Sequence, residues 1–401
     1  MQLELPKKFR PIVNQANQVA HNVFRPISRK YDRAEHAYPK ELDMLASVLD
    51  GINDGSPDGG AGAATASKSG KKDEGGVKNG ANMKTVLGIV ELCYGDCGLL
   101  LGMPRQGLGN AAIAAVANDE QKERFKGVWA SMAITEPGCG SDSAAIRTTA
   151  VKDGDHYVLN GEKIFVTSGE RSNAVVVWAT VDKSLGRAAI KSFVVEKGTP
   201  GMTVARLEKK LGIKASDTAT ILFENCRVHR SNLLGSEEVD VAKGFAGVME
   251  TFDNTRPLVA GMALGVARAS LERTKQILKD HTVGNYDAPQ YTLGAAEAAL
   301  MKMEADWDAA YLLTLKAAWL ADNKTPNSKE ASMAKAKAGR VGNEITLKCV
   351  ELCASVGYAE TELLEKWARD SKILDIFEGT QQIQQLIIAR RLLGKSSSEL
   401  K

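Results

Sequence analysis

The residues with the clearest chemical potential in this chain lie near its C-terminal end. Across Ile376 to Gly394 an apolar run stops at Glu378, Gly379 and Thr380, and an amphipathic pattern begins. Thr380 is placed to cap a helix in which Ile383, Leu386, Ile387 and Leu393 fall on one face, so Glu378 and Gly379 occupy the irregular turn before it. A carboxylate held between Ile373, Leu374, Ile376 and Phe377 on one side and a packed helix on the other loses solvation. That raises its proton affinity and suits it to general-base work. The alternative reading is a partly exposed glutamate favoured by the positive end of the helix.

Three other stretches could serve such a base. Met132 to Asp142 places Gly138, Gly140 and Pro137 where a loop must turn tightly and let backbone approach a ligand. A plain glycine-rich surface turn accounts for the glycines, but not for the apolar Met132 to Ile134 leading into them. In Asn160 to Gly169, Phe165 and Thr167 read on their own as strand residues pointing to the same face. In Phe252 to Pro257, Arg256 can serve a phosphate or a carbonyl, or form a helix-surface ion pair with Asp253.

The elements that must position these residues follow from periodicity. Residues 1 to about 50 and 82 to 127 read as helical, with Val86, Ile89, Val90, Leu92, Leu99 and Leu100 as apolar positions. The stretch between them, about 51–81, is dominated by Gly, Ala, Ser, Asp and Lys and cannot bury enough apolar surface to offset its ordering entropy. It is expected to be a flexible insert, either a lid or a tolerated surface loop. From 128 to 240 short strands alternate with turn signals, at Thr148 to Lys152, His156 to Leu159, Ile164 to Thr167, Ala174 to Thr180, Ile190 to Val195 and Thr218 to Phe223. From 241 the helical period returns through Glu250 to Leu278, Ala295 to Asp322, Lys329 to Val356 and Gln381 to Leu393. The expected class is α+β in three domains: an N-terminal helical domain (1–127), a middle antiparallel β domain (128–240) and a C-terminal helical domain (241–401). Segregated helices and strands argue against alternating βα units and a Rossmann sheet.

Bulk properties narrow the function. A chain of 401 residues with 44% hydrophobic and 25% charged residues can bury large cores. A net charge of +3 and 5% aromatic residues give neither the basic field nor the stacking platform of a nucleic-acid binder. No apolar run approaches the ~20 residues needed to span a bilayer. Met1 to Pro6 lacks the basic start and long apolar centre of a signal peptide, so a cytoplasmic location is expected. Cys93/Cys97 and Cys349/Cys353 have four-residue spacing without neighbouring ligands and read as reduced core cysteines rather than a metal site. None of the five histidines has ligand spacing.

Taken together and in this order, the segments Met132 to Asp142, Asn160 to Gly169, Phe252 to Pro257 and Ile376 to Gly394 resemble the acyl-CoA dehydrogenase family. The resemblance runs over nearly the whole chain. It implies an N-terminal helical domain, a middle β domain and a C-terminal four-helix bundle, with FAD as cofactor and an acyl-CoA thioester as substrate. It also implies that Glu378 takes the α-proton while the flavin accepts the β-hydride, giving the trans-2-enoyl-CoA. Met132, Ile134, Thr135, Gly140, Ser141, Phe165, Val166, Thr167, Thr380 and Gln382 match flavin neighbours, and family members often have Trp where Phe165 stands. Ser141, Asp253, Asn254, Thr255, Arg256 and Gly379 match the substrate side. The backbone N–H of Glu378 matches a donor to the thioester carbonyl, and removing one such donor commonly costs ~10²-fold or more.

The resemblance breaks on one half of the cofactor site. Homotetrameric members usually carry an Arg-x-x-Phe-Gly motif that reaches a neighbouring subunit's flavin pyrophosphate, whereas Leu278 to Asp287 here lacks the Arg and the Phe. The Gln and Gly-Gly pair lent to the neighbour's adenine are replaced by Glu351, Ala354 and Ser355. Asp280 and Glu351 would bring negative charge towards a diphosphate, which is unfavourable in a desolvated cleft. The expected assembly is a tetramer. It is either α2β2, with a related dehydrogenase chain supplying the lost contacts, or a homotetramer with Lys279 or His281 as substitute cation. Electron-transfer flavoprotein is the expected electron acceptor. An acyl-CoA oxidase and a non-catalytic subunit of a heteromeric dehydrogenase are the alternatives. Gly98, Gly102, Gly107 and Gly109 either leave room for a bulky acyl group or permit close helix packing.

Overall fold

The computed structural model describes residues 7–52, 80–104, 108–239, 246–281, 294–396 and 399, without the side chains of 47–52 and 246–254. Most of the insert expected at 51–81 therefore lies outside the described residues, as does Gly107.

Helices come first. They are α1 (Arg10–Val19), α2 (Arg25–Arg33), α3 (Glu41–Ile52), α4 (Ala81–Gly95), α5 (Cys97–Leu101), α6 (Leu108–Val116) and α7 (Asp119–Arg124), with a π turn at Ala20–Phe24 joining α1 to α2. Asp322, at the end of a later helix, accepts from the N–H groups of Gly80 (2.7 Å), Asn82 (2.9 Å) and Met83 (3.0 Å) and so supplies the N-terminal cap of α4 from a distance. Asn118 caps α7 in a reciprocal capping box with Gln121.

The middle of the chain is a seven-stranded sheet: β1 (Ala130–Ala133), β2 (Thr149–Asp153), β3 (His156–Thr167), β4 (Ala174–Thr180), β5 (Ile190–Glu196), β6 (Met202–Leu207) and β7 (Thr218–His229). The sheet is mainly antiparallel, as expected, but β1 pairs with β4 in parallel, Ala130 opposite Ala174 and Ala133 opposite Val177. Both faces of β4 are covered, which is why its seven residues are all buried and read as a continuous apolar run. One face packs around Leu159, Phe193 and Phe223, the other around Ala112, Trp178 and Val194.

Helices return as α8 (Ala246–Asp280), α9 (Ala295–Asp322), α10 (Ser328–Leu352), α11 (Ala354–Tyr358), α12 (Leu364–Leu374) and α13 (Gln381–Leu393). The helix expected from Lys329 to Val356 is broken after α10, where Ala354 takes a left-handed φ of 47°. α8, α9, α10 and α12 share one apolar core with α4 and α5, with Trp367, Leu99 and Leu264 buried in it. A buried polar knot ties the layers. Lys366 Nζ on α12 donates to Asp96 (2.7 Å) and Asp370 (2.5 Å), and Asp370 also accepts from the N–H of Ile213, after β6. Such a network needs every member satisfied, and here it joins α5, α12 and the sheet at one point.

All six cysteines are free and buried, and no cluster of metal-ligating side chains occurs among the described residues. No described helix is long and apolar enough to cross a membrane.

Candidate functional site

Glu378 lies in the turn between α12 and α13 with φ at +57°, and Gly379 follows at +95°. Left-handed backbone is natural for glycine, but for glutamate it costs of order 1–3 kcal/mol and persists only where the surroundings enforce it. Here they do. Lys335 Nζ, from α10, donates to the Gly379 carbonyl at 2.6 Å, and Gln384 Nε2, from the first turn of α13, donates to the carbonyls of Glu378 (3.0 Å) and Gly379 (3.1 Å). A Cβ at Gly379 would lie 2.4 Å from Gln384 Nε2, so a larger residue there would push that side chain off the two carbonyls, in addition to the strain its φ imposes. Thr380 caps α13 by accepting from the N–H of Ile383 at 3.4 Å, and Gly394 closes the helix in the left-handed form.

With both carbonyls turned inward, the N–H groups of Glu378 and Gly379 donate to nothing among the described residues. The Glu378 side chain is half-buried, and its Oε2 accepts from Thr255 Oγ1 at 2.8 Å. Burial raises the proton affinity of this carboxyl above the ordinary glutamate range. The Thr255 hydrogen bond and the charges of Arg256 and Lys335 oppose that rise without cancelling it. The result is a carboxylate readier to take a proton than a surface glutamate, beside two unengaged N–H donors.

Thr255 and Arg256 are each only 2% exposed, so a helix-surface ion pair is not the place of Arg256. The run Asp253 to Arg256 lies inside α8, which begins at Ala246. The side chains of Asp253 and Asn254 are outside the described residues.

The second group of candidates sits on the sheet. Met132, on β1, and Ile134 and Thr135 after it are half-buried, while Gly140 and Ser141 are exposed beyond a tight turn in which Glu136 and Cys139 exchange backbone hydrogen bonds of 3.1 Å. The loop is fastened from beneath by a buried pair that sequence reasoning did not single out. Lys163 Nζ on β3 donates to Glu136 Oε1 (2.8 Å) and to the Ile134 carbonyl (3.0 Å), while Glu136 also accepts from the N–H groups of Arg147 (2.6 Å) and Thr148 (2.9 Å). Burial alone would raise the Glu136 proton affinity, but Lys163 and these donors outweigh it and hold the carboxyl below its ordinary range. The Ile164 N–H donates to the Thr135 carbonyl at 2.9 Å, so loop and strand move as one piece.

The reading of Phe165 and Thr167, taken alone, as ordinary strand residues fails at Phe165, while Thr167 stays in register opposite Thr218. β3 has a bulge between Lys163 and Val166, where Phe165 takes φ +57° and stands 61% exposed while Val166 is buried. A bulge re-aims a side chain, and this one presents an aromatic ring outward on the strand fastened to the loop of Met132, Ile134 and Thr135. An unsatisfied, flat apolar surface of that kind fits a planar ring system.

The buried face of α13 is not the predicted one. Leu386 is 43% and Leu393 62% exposed, with Ile383 and Ile387 half-buried, whereas Gln381 and Gln384 are buried. Gln384 is drawn inward by the turn's carbonyls, and Gln381 donates to Asp375 and to the Ala336 carbonyl. Gln382 is exposed. Among the described residues no hydrogen bond joins the turn around Glu378 to the loop around Thr135; each is anchored independently.

Comparison with known proteins matches this architecture. Residues 131–226 match the middle domain of the acyl-CoA dehydrogenases and residues 242–393 their C-terminal domain. The short-chain specific acyl-CoA dehydrogenase of mouse mitochondria is 40% identical over 261 residues, 65% of this chain and 62% of that protein; the match thus spans about three fifths of the relative's length. The acryloyl-CoA reductase (NADH) of Anaerotignum propionicum is 31% identical over 408 residues, covering 98% of this chain and 97% of the relative. The solved butyryl-CoA dehydrogenase of Megasphaera elsdenii superimposes with a TM-score of 0.84 at 29% identity, covering 98% of this chain and 100% of that one. A strained glutamate turn, a fastened glycine-rich loop and a full-length relative at this identity lead to one conclusion: the chain belongs to the acyl-CoA dehydrogenase family.

Proposed function

We propose that this chain carries out α,β-dehydrogenation of an acyl-CoA thioester to the trans-2-enoyl-CoA, with Glu378 as the base for the α-proton. The observation that carries this reading is the turn itself. Glu378 is held in a left-handed conformation with raised proton affinity, and the N–H groups of Glu378 and Gly379 are unengaged. A thioester carbonyl accepting from the Glu378 N–H is polarised where charge develops as the α-proton leaves. Thr255 orients the carboxylate and favours its ionised form. Arg256 adds positive charge beneath it. Ser141, Asp253, Asn254 and Gly379 complete the proposed substrate side.

Met132, Ile134, Thr135, Gly140, Ser141, Phe165, Val166, Thr167, Thr380 and Gln382 are the proposed flavin neighbours. Bound there, FAD would supply the acceptor for the hydride leaving Cβ. Phe165 offers a ring face, Met132 and Ile134 an apolar rim, and the Lys163–Glu136 pair keeps loop and strand in register.

The lost half of the site supports a shared assembly. Lys279, Asp280 and His281 at the end of α8 are exposed, as are Glu351 in the last turn of α10 and Ala354 and Ser355 at the start of α11. Ala354 keeps the left-handed φ that favours glycine although its side chain is no longer glycine's. Leu386, Leu392 and Leu393 leave apolar surface on α13. An α2β2 tetramer with a related dehydrogenase chain accounts for both features, and electron-transfer flavoprotein is the proposed acceptor.

The test is anaerobic dye-coupled turnover of saturated acyl-CoA thioesters of graded length, by this chain alone and co-expressed with a related chain. Peroxide release is measured in parallel under air. Dye reduction without peroxide supports the dehydrogenase, matching peroxide yield would make it an oxidase, and turnover unchanged by Glu378→Gln in the intact complex would leave this chain a non-catalytic subunit.

A further inference from the structure

A second buried titratable group stands beside the proposed base. Lys335 is fully buried on α10, and its ammonium donates to the Gly379 carbonyl, one residue beyond Glu378. One turn further along the same face of α10, Gly339 lets the helix approach the end of α12 so closely that a Cβ there would lie 2.8 Å from the Leu374 carbonyl oxygen. That approach places Lys335 under the turn. The charged and polar groups set around it come from three elements: Asp375 and Glu378 from the turn, Arg256 with Thr255 from α8, and Gln381 with Gln384 from α13. A lysine that only needed its charge satisfied would sit against a carboxylate. This one donates instead to a main-chain carbonyl of a strained turn.

We propose that Lys335 is a positioning residue for proton transfer at Glu378: it grips the Gly379 carbonyl, locks the turn in its left-handed form, and through its charge favours the ionised, proton-accepting carboxylate. Gln384 is the neutral half of the same clamp, holding the Glu378 and Gly379 carbonyls from the side of α13. The clamp engages both carbonyls and leaves the N–H groups of Glu378 and Gly379 without a partner among the described residues. Burial pulls the Lys335 ammonium down to about 8, Asp375 and Glu378 opposing the shift, so the clamp is charged at neutral pH and loses its charge in mildly alkaline solution. This inference rests on the dehydrogenase reading only for its consequence in turnover. The coupling between Lys335 and Glu378 can be read without it.

The experiment is an infrared titration of the Glu378 carboxyl band, identified as the difference between the wild-type protein and Glu378→Gln, repeated in Lys335→Met, Lys335→Gln, Lys335→Arg and Gln384→Met. The pH profile of kcat is recorded on the same holoenzymes. Loss of the charge in Lys335→Met, or in Lys335→Gln should the former fail to fold, is expected to move the Glu378 titration and the acid limb of kcat upward together by about one pH unit, a tenfold rise in proton affinity. Lys335→Arg restores the wild-type titration, and Gln384→Met lowers kcat without moving it. A Glu378 titration unmoved by either neutral substitution, or moved equally by Gln384→Met, would overturn the proposal. If Glu378→Gln turned over normally, the dehydrogenase reading would fail while the infrared titration still decided the role of Lys335.

Discussion

Thr255 Oγ1 on α8 donates a 2.8 Å hydrogen bond to Glu378 Oε2, so the 35-residue helix α8 and the strained turn before α13 meet at this carboxylate. This contact favours the charged form of Glu378 against the burial that favours the neutral one. Thr255→Val removes the donor and nearly preserves the shape. It should shift the acid limb of kcat upward and lower kcat at pH 6 more than at pH 8, as measured in a steady-state pH profile.

Glu378 also makes stability depend on pH. Its folded-state proton affinity is raised, so its contribution is fully present below the unfolded carboxyl range and is lost as pH rises through the folded value. Above that value the native state holds a charge its surroundings disfavour. Glu378→Gln should therefore raise Tm relative to wild type at pH 8 and by less, or not at all, at pH 4.5. Paired thermal melts check both the sign and the trend.

Gly379 carries two constraints, a φ of +95° and the proximity of Gln384 Nε2. Gly379→Ala should destabilise by about 1–3 kcal/mol and reduce kcat by displacing the turn. In Gly379→Ala/Gln384→Ala the collision is removed, but the φ strain remains and both carbonyls lose their Gln384 donor, so denaturant melts should show no recovery of stability and turnover no recovery of kcat.

The Lys163–Glu136 pair holds the glycine-rich loop on β3, and Lys163 has no exposed surface. Breaking a buried pair from one side leaves an uncompensated charge, so Lys163→Met should cost about 3–5 kcal/mol. Lys163→Met/Glu136→Gln should recover part of it. Because Glu136 is held below its ordinary range, its contribution is present at neutral pH and lost as the pH falls through that depressed value. Chemical denaturation at pH 7 and at pH 3 separates the single variant from the double.

Much of this fold is legible in the chain because local pattern and tertiary environment agree. The strand Ala174–Thr180 and the helices Ala295–Asp322 and Gln381–Leu393 have the ends that periodicity predicts. β6 escapes the pattern because it is an edge strand with three exposed positions, and β1 because four residues carry too little period. Glu378, Gly379 and the Thr380 cap could be read from the break in apolar pattern. Lys335 and Gln384 could not, since a lysine and a glutamine inside helical sequence look like solvent-facing residues until the turn's carbonyls are seen. The apolar face predicted on α13 failed for the same reason: hydrogen bonding to the strained turn, not hydrophobicity, decides which face turns inward. Gly98 and Gly109 are resolved in favour of close packing, for a Cβ would lie 3.2 Å from Ile213 Cα at the first and run into the carbonyls of Ala130 and Ser131 at the second.

The most direct measurement of the central claim is exchange of the substrate α-proton. Saturated acyl-CoA deuterated at Cα is incubated anaerobically with the FAD-loaded protein, co-expressed with its related chain if flavin is not retained by this chain alone, and deuterium loss is followed by mass spectrometry. Wild type should wash out the label, and Glu378→Gln should slow this by about 10²–10⁴-fold while still binding the acyl-CoA. Washout by Glu378→Gln at the wild-type rate would contradict the account and place the base on another residue.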